Sequence, residues 1–144
     1  VGETGGRGDV PGVLDFLDQA WTSFDAQRLS ATQWDGGSGP LTSYSLFDET
    51  GAPNAIARAI ARPHPARTAG VPIAWSWDGE ARTFVFEWEE DDSASGDTRV
   101  TLPALVFSAG ADAILDDGGE TRVEGAHLVI PQRGGMRRLV LTAR

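Results

Sequence analysis

The side-chain pattern of this chain changes its period at a cluster of prolines, and that change limits the folds open to it. Before Pro63 apolar residues recur at helical spacing; after Pro72 they alternate with period two. Val10, Val13, Leu14, Phe16, Leu17, Ala20, Trp21 and Phe24 form a broad apolar stripe. The stripe predicts a helix with Asp9 as N-cap and Pro11 in its first turn, where a missing N–H costs nothing. The run 29–34 reads as a short strand, followed by the glycine-rich loop 35–40. The alanine-rich segment 53–61, stopped by Pro63, predicts a second helix. Helix, strand, helix is one and a half turns of a β/α repeat. Pro63, Pro65 and Pro72 bracket a stretch that cannot continue a helix, so residues 63–71 read as a linker.

Beyond the linker, Trp75 and Trp77 share one face of a predicted strand. Phe84, Phe86 and Trp88 share a face of the next, with Glu87 and Glu89 opposite and Asp78-Gly79 as the turn between the two strands. Further strands are predicted over 98–102, 104–108, 113–115, 121–123, 127–130 and 138–142, separated by Gly- and Asp-rich turns. Short strands at this spacing predict an antiparallel β-sandwich over 72–144. The aromatic set could be a platform for sugar rings or a lipid tail. Its alternation with polar neighbours favours a sandwich core instead, with Trp75 or Trp77 as the remaining candidate for a lipid contact.

Charge narrows the partners. The 144 residues carry a formal net charge of −9, and all 12 basic residues are arginine. Phosphate backbones would be repelled, which excludes nucleic acid, and anionic lipid surfaces would not attract the chain. Uncharged sugars and neutral or zwitterionic lipids remain. The chain has no cysteine, which removes disulfides, thiolate chemistry and cysteine-bound metal together. No stretch approaches the ~20 apolar residues of a membrane span. The opening Val1-Gly2-Glu3-Thr4-Gly5 lacks the basic-then-apolar pattern of a secretory leader, so none is expected in it.

Several tempting motifs have simpler readings. The acidic residues Glu89, Glu90, Asp91, Asp92 and Asp97 have no fixed ligand spacing for calcium and suit a solvated hairpin loop. Asp112, Asp116 and Asp117 lie in turn chemistry. Arg7-Gly8-Asp9 spells an integrin tripeptide, but helix capping gives Asp9 sufficient work. His64 and His127 lack a nearby partner in sequence, and no Gly-x-Ser-x-Gly elbow occurs. Neither a metal nor an organic cofactor is expected.

Three stretches together resemble the endoglycoceramidase-like members of glycoside hydrolase family five. Val1-Gly2-Glu3-Thr4-Gly5 is similar to the end of barrel strand seven that carries the family's nucleophilic Glu, although Thr4 stands where the family usually has Phe or Trp. Trp34 matches the aromatic residue these barrels place at the end of strand eight, against the sugar. The longest stretch runs from Tyr44-Ser45-Leu46-Phe47-Asp48-Glu49-Thr50-Gly51, through Asn54 and Arg62-Pro63-His64-Pro65, to Ala69-Gly70-Val71-Pro72 and Trp75-Ser76-Trp77-Asp78. It reads like the last barrel helix passing into the family's C-terminal β-sandwich.

The resemblance implies an α/β plus all-β chain. Residues 1–62 would be the C-terminal fragment of a (β/α)8 glycosidase barrel, followed by the 63–71 linker and the 72–144 sandwich. It implies Glu3 as catalytic nucleophile and Trp34 as substrate-binding residue. The substrate would be a glycolipid or oligosaccharide, with release of an intact glycan from a glycosphingolipid as the parent reaction. Residues 1–62 supply roughly a quarter of the β/α units of a closed barrel of ~250 residues, so the remainder of the barrel is an expected partner. The family's second carboxyl group lies on an earlier strand. The chain alone is therefore expected to be inactive. Secretion and a peripheral contact with membrane lipid are further implications, with the sandwich buttressing the barrel. The alternatives are a non-catalytic carbohydrate- or lipid-binding module and a purely structural accessory domain.

Overall fold

A computed structural model describes residues 2–144, which divide into two compact units, one ending at Ala61 and the other running Arg62–Arg144. In the first unit β1 (Glu3–Thr4) and β2 (Thr32–Gln33) pair in parallel, with Glu3 opposite Thr32 and Thr4 opposite Gln33. Between them runs α1 (Val13–Ala26), and α2 (Ala55–Ile60) closes the unit. Val13 and Leu17, one turn apart on α1, bury against Ile56 of α2, with Leu46 and Ile60 packed alongside. The cap expected at Asp9 is not formed. The residue before α1 is Gly12, left-handed at φ 78° and without a side chain to cap, so Pro11 precedes the first turn. Asp9 is instead taken by Arg7, whose Nη2 donates to Oδ2 at 2.6 Å. At α2 the cap is Asn54, whose Oδ1 accepts from the N–H groups of Ile56 and Ala57 at 2.9 and 3.1 Å.

The second unit is a β-sandwich of two four-stranded antiparallel sheets. One has the order β4-β5-β10-β7, from β4 (Gly70–Asp78), β5 (Thr83–Glu90), β10 (Gly135–Ala143) and β7 (Ala111–Leu115). The other is β3-β6-β9-β8, from β3 (His64–Arg67), β6 (Thr98–Thr101), β9 (His127–Ile130) and β8 (Arg122–Glu124). Two sequence expectations are corrected here. The stretch read as a linker is largely strand: β3 occupies His64–Arg67 and β4 begins at Gly70. Prolines forbid helix, not an edge strand, and β3 is an edge whose register shifts between Pro65 and Arg67. Gly70 starts β4 at φ 143°, where a Cβ would stand closer than 3.0 Å to the Glu89 carbonyl oxygen. The run 104–108, read as a strand, is the single-turn helix α3 (Ala104–Phe107). Pro103 begins it, its carbonyl accepting from the N–H groups of Val106 and Phe107 at 2.9 Å each. A four-residue apolar run has no period of its own to decide between the two structures.

The aromatic alternation fills the core. Register places Trp75, Phe86, Leu139 and Leu115 in one row across the first sheet, and Trp77, Phe84, Leu141 and Ala113 in the next. Phe84, Phe86 and Trp88 are fully buried, and each buried ring contributes about 1.5–3 kcal/mol. Phe86 stacks on Trp88 with ring centres 4.7 Å apart. Val100, Leu128 and Ile130 face them from the second sheet. Trp75 and Trp77 are half-buried and pack on this core, Trp75 edge-on to Phe86 at 6.4 Å.

The third row of that inner face carries a charge. Arg137 lies opposite Trp88, its guanidinium 5.4 Å from the ring centre, and the Arg137 and Glu90 side chains are 1% and 0% exposed. Arg137 Nη1 donates to Glu90 Oε1 at 2.9 Å and to the Pro131 carbonyl at 2.7 Å, while Nη2 pairs with Asp117 at 3.0 Å. Glu90 also accepts from Trp88 Nε1 at 3.1 Å and from the N–H groups of Arg133 and Gly134, both at 2.6 Å. Burial pushes the Glu90 carboxyl pKa up, but the hydrogen bonds from Arg133, Arg137, Gly134 and Trp88 outweigh it and hold it below its ordinary value. A lowered folded pKa means the carboxylate stabilises the fold fully above the unfolded value. That stability is lost as pH falls through the folded value. Replacing Glu90 with Gln should cost about 3–5 kcal/mol at neutral pH and flatten the acid limb of stability below roughly pH 5. Urea unfolding of the full protein across pH 3–7 checks both; an unchanged acid limb would remove Glu90 as its source.

Candidate functional site

The residues singled out in the first unit lie on, or directly after, the paired strands β1 and β2. Trp34 follows β2, and its N–H donates to the Thr4 carbonyl at 2.7 Å, extending the pairing one step beyond the strand. Register partners share a face and strands alternate with period two. Glu3 and its register partner Thr32 therefore share one side of the pair, and Trp34 follows directly after β2. Gly5 comes next along β1. A Cβ there would lie closer than 3.0 Å to the Trp34 carbonyl oxygen, so the two chains can approach this closely only with glycine at that position. Gln33 Nε2 donates to the same carbonyl at 2.9 Å.

Glu3 is exposed, and no hydrogen bond or ion pair reaches its carboxylate among the described residues. Trp34 is 51% exposed, an unusual state for the largest apolar side chain. The Trp34–Asp35 peptide is cis. Beyond it the chain makes a tight loop: Asp35 N–H donates to the Tyr44 carbonyl at 3.1 Å, and Asp35 Oδ1 accepts the Gly37 N–H at 2.8 Å. An open carboxylate and an exposed indole on one strand pair can each serve chemistry. The carboxylate can act as nucleophile or base, and the indole can cover the apolar face of a ring-shaped substrate.

The histidines and the acidic run belong to the second unit. His64 lies on β3 and His127 on β9, both in the sandwich. The acidic run serves turns and ion pairs. Asp91 Oδ1 accepts from the Ser93 N–H and hydroxyl at 2.8 and 2.7 Å, and Asp97 pairs with Arg122 at 2.7 Å. Asp112 pairs with Arg144, and Asp116 accepts the Arg138 N–H at 3.0 Å. No group of three or more metal-type ligands converges among the described residues. Sequence reasoning quoted Gly5 only as part of the opening stretch and gave Gln33 and Asp35 no separate role, because the contacts of Gly5 depend on a pairing between residues some 30 positions apart.

Residues 62–138 match the model of the glycoside hydrolase family 5 C-terminal domain. No curated protein matches the sequence. Among solved structures, endo-glycoceramidase II from Rhodococcus sp., seen as its lactosyl-enzyme intermediate, superposes with a TM-score of 0.80 at 18% identity, covering 100% of this chain and 32% of that one. The same enzyme in its ganglioside GM3 complex gives 0.80 and 18%, over 99% and 31%. Sterylglucosidase 1 from Cryptococcus neoformans gives 0.81 at 15% identity, over 100% and 28%. The chain thus spans about a third of the length of the structures it matches, and at these identities the likeness concerns the fold.

The close approach at Gly5 is open to a direct test. Gly5→Ala should force β1 and β2 apart and lower the stability of the full protein by about 1–3 kcal/mol. Thermal unfolding reads this, and a melting temperature equal to the parent's would show that the strands tolerate the methyl group.

Proposed function

The chain belongs to the glycoside hydrolase family 5 C-terminal domain family, and from that premise we propose that it is the C-terminal portion of a retaining glycosidase whose nucleophile is Glu3. The observation that carries this reading is the parallel pair itself. Glu3 opens one strand of it and the exposed Trp34 directly follows the other, which supports a site at the rim where β/α-barrel enzymes build theirs. In this reading residues 1–62 are the last units of that barrel. Their apolar surface supports it: Phe16 on α1 is 56% exposed, and Val10, Leu29 and Leu41 are exposed as well, more than a small finished core leaves in water.

The chemistry follows from two carboxyl groups ~5–5.5 Å apart. The Glu3 carboxylate attacks the anomeric carbon as the bond to the leaving oxygen breaks, forming a glycosyl ester on Glu3. A second carboxyl group, contributed by an earlier barrel strand, gives its proton to the departing oxygen. It then takes a proton from water, which attacks the anomeric carbon and releases Glu3. Trp34 covers the sugar's apolar face and keeps water from the oxocarbenium-like transition state. Without the second carboxyl group residues 1–144 alone are inactive. We take the substrate to be a neutral glycoside with an apolar aglycone, a glycosphingolipid being the leading case, because the net charge of −9 disfavours anionic partners. A secreted parent working at a lipid surface completes the proposal. A non-catalytic carbohydrate- or lipid-binding module is the competing reading.

In the full-length protein Glu3→Gln should lower glycoside hydrolysis at least about a thousandfold while the protein stays folded. A 2-fluoro glycoside with an activated leaving group should add its sugar mass to the wild-type peptide that contains Glu3. Hydrolysis persisting in Glu3→Gln would sink the nucleophile assignment. A full-length protein that binds glycoside without hydrolysing it would favour the binding module.

A further inference from the structure

Trp34 stands one residue past the end of β2, where the strand ladder no longer holds both sides of the backbone. Its N–H still donates to the Thr4 carbonyl at 2.7 Å. Its carbonyl accepts from no backbone N–H among the described residues. The Gln33 side chain supplies the donor instead, with Nε2 at 2.9 Å from that oxygen. Gly5 makes the slot for this bond: a Cβ there would collide with the same carbonyl oxygen and touch Gln33 Nε2 at 3.4 Å. A bond at the N–H restrains φ and a bond at the carbonyl restrains ψ. Together they aim the Cα–Cβ bond of Trp34 and leave only χ1 and χ2 to its ring. The ring is 51% exposed, so packing alone does not hold it.

The Gln33 amide has one productive orientation. Its Oε1 is buried and accepts no bond among the described residues. Turning the amide over would set two oxygens face to face and lose the bond to Trp34. Gln33 and its register partner Thr4 share the side of the pair opposite to Glu3 and Thr32. Gln33 therefore does not share the side of the Glu3 carboxylate, and any part it plays in the chemistry passes through Trp34.

We propose that Gln33 is a positioning residue whose amide replaces the lost ladder donor at the Trp34 carbonyl and so holds the indole where it covers the sugar. The proposal rests on the glycosidase reading for the place of the sugar, and half of its test needs no turnover. The full-length protein is labelled with 5-fluorotryptophan, and the Trp34 and Trp21 resonances are identified by their loss in Trp34→Phe and Trp21→Phe. Gln33→Ala should broaden or split the Trp34 resonance and leave that of Trp21 in place. Gln33→Glu keeps the shape and removes only the donor, so near pH 7 it should act like Gln33→Ala. A protonated carboxyl can donate again, so the Trp34 resonance of Gln33→Glu should sharpen as pH falls from about 7 to 5.

The other half is a double-mutant cycle on glycoside hydrolysis. Gln33→Ala should lower kcat/KM about tenfold with Trp34 present and less than about twofold in Trp34→Ala, because a misplaced ring costs nothing once the ring is gone. Equal losses in the two backgrounds would make Gln33 merely structural and overturn the proposal. So would an unchanged Trp34 resonance in Gln33→Ala, or a Trp21 resonance that changes as much. A full-length parent that hydrolyses no glycoside would refute the glycosidase reading, while the fluorine spectra would still decide whether Gln33 holds Trp34.

Discussion

Arg137 sits inside the sandwich with its guanidinium between the Glu90 carboxylate and the face of Trp88, and the second unit is arranged around that placement. Withdrawing two charges from water costs several kcal/mol each, so the site is stable only if the lost hydration is replaced almost bond for bond. Glu90 receives four hydrogen bonds, from Arg137, Trp88, Arg133 and Gly134. Arg137 in turn reaches Pro131 and Asp117. Those partners come from β5, from β10 and from the loops that precede β8 and β10. One ion pair thus fixes the register of the two central strands and the path of two connections. The aromatic rows continue from it toward Phe84 and Trp77, and their burial supplies the bulk of the apolar stabilisation.

The first unit is built on a different economy of contacts. Its buried cluster is small, Val13, Leu17 and Ile56 with Leu46 and Ile60, and its sheet is a two-stranded parallel pair. Phe16 on α1 stays largely exposed, so the small cluster covers only part of that helix. Gly5 allows the close approach to the Trp34 carbonyl, and Asp35 and Asn54 hold the loop between β2 and α2.

Much of this was legible because simple rules applied. Period-two alternation at 84, 86 and 88 can only serve a sheet with one buried face, and those three residues are fully buried. Where the reading failed, local rules competed. Asp9 looked like a cap, yet Arg7 two residues away offered its carboxylate a charged partner. The 104–108 run could be strand or helix by composition, and Pro103 settled it through hydrogen bonds that no periodicity reveals. Pro63 and Pro65 suggested a linker because they exclude helix; that β3 lies at the edge of its sheet, where Pro65 costs no ladder bond, depended on the fold of the remaining strands.

By itself the sequence determined the division near residue 62, the helical character of what precedes it, the sandwich that follows, and an acidic chain without cysteine chemistry. These depend on periodicity, proline stereochemistry and charge, which are properties of neighbouring residues. Only the tertiary structure decided that the segments carrying Glu3 and Trp34 pair, that Asp35 is tied to the Tyr44 backbone, and that Glu90, which resembled a loop acid, is buried with Arg137. Each of those joins residues between nine and 47 positions apart, counting Tyr44 to Asp35 and Glu90 to Arg137. Contacts over such separations are set by the packing of whole elements, and no local pattern in the chain encodes them.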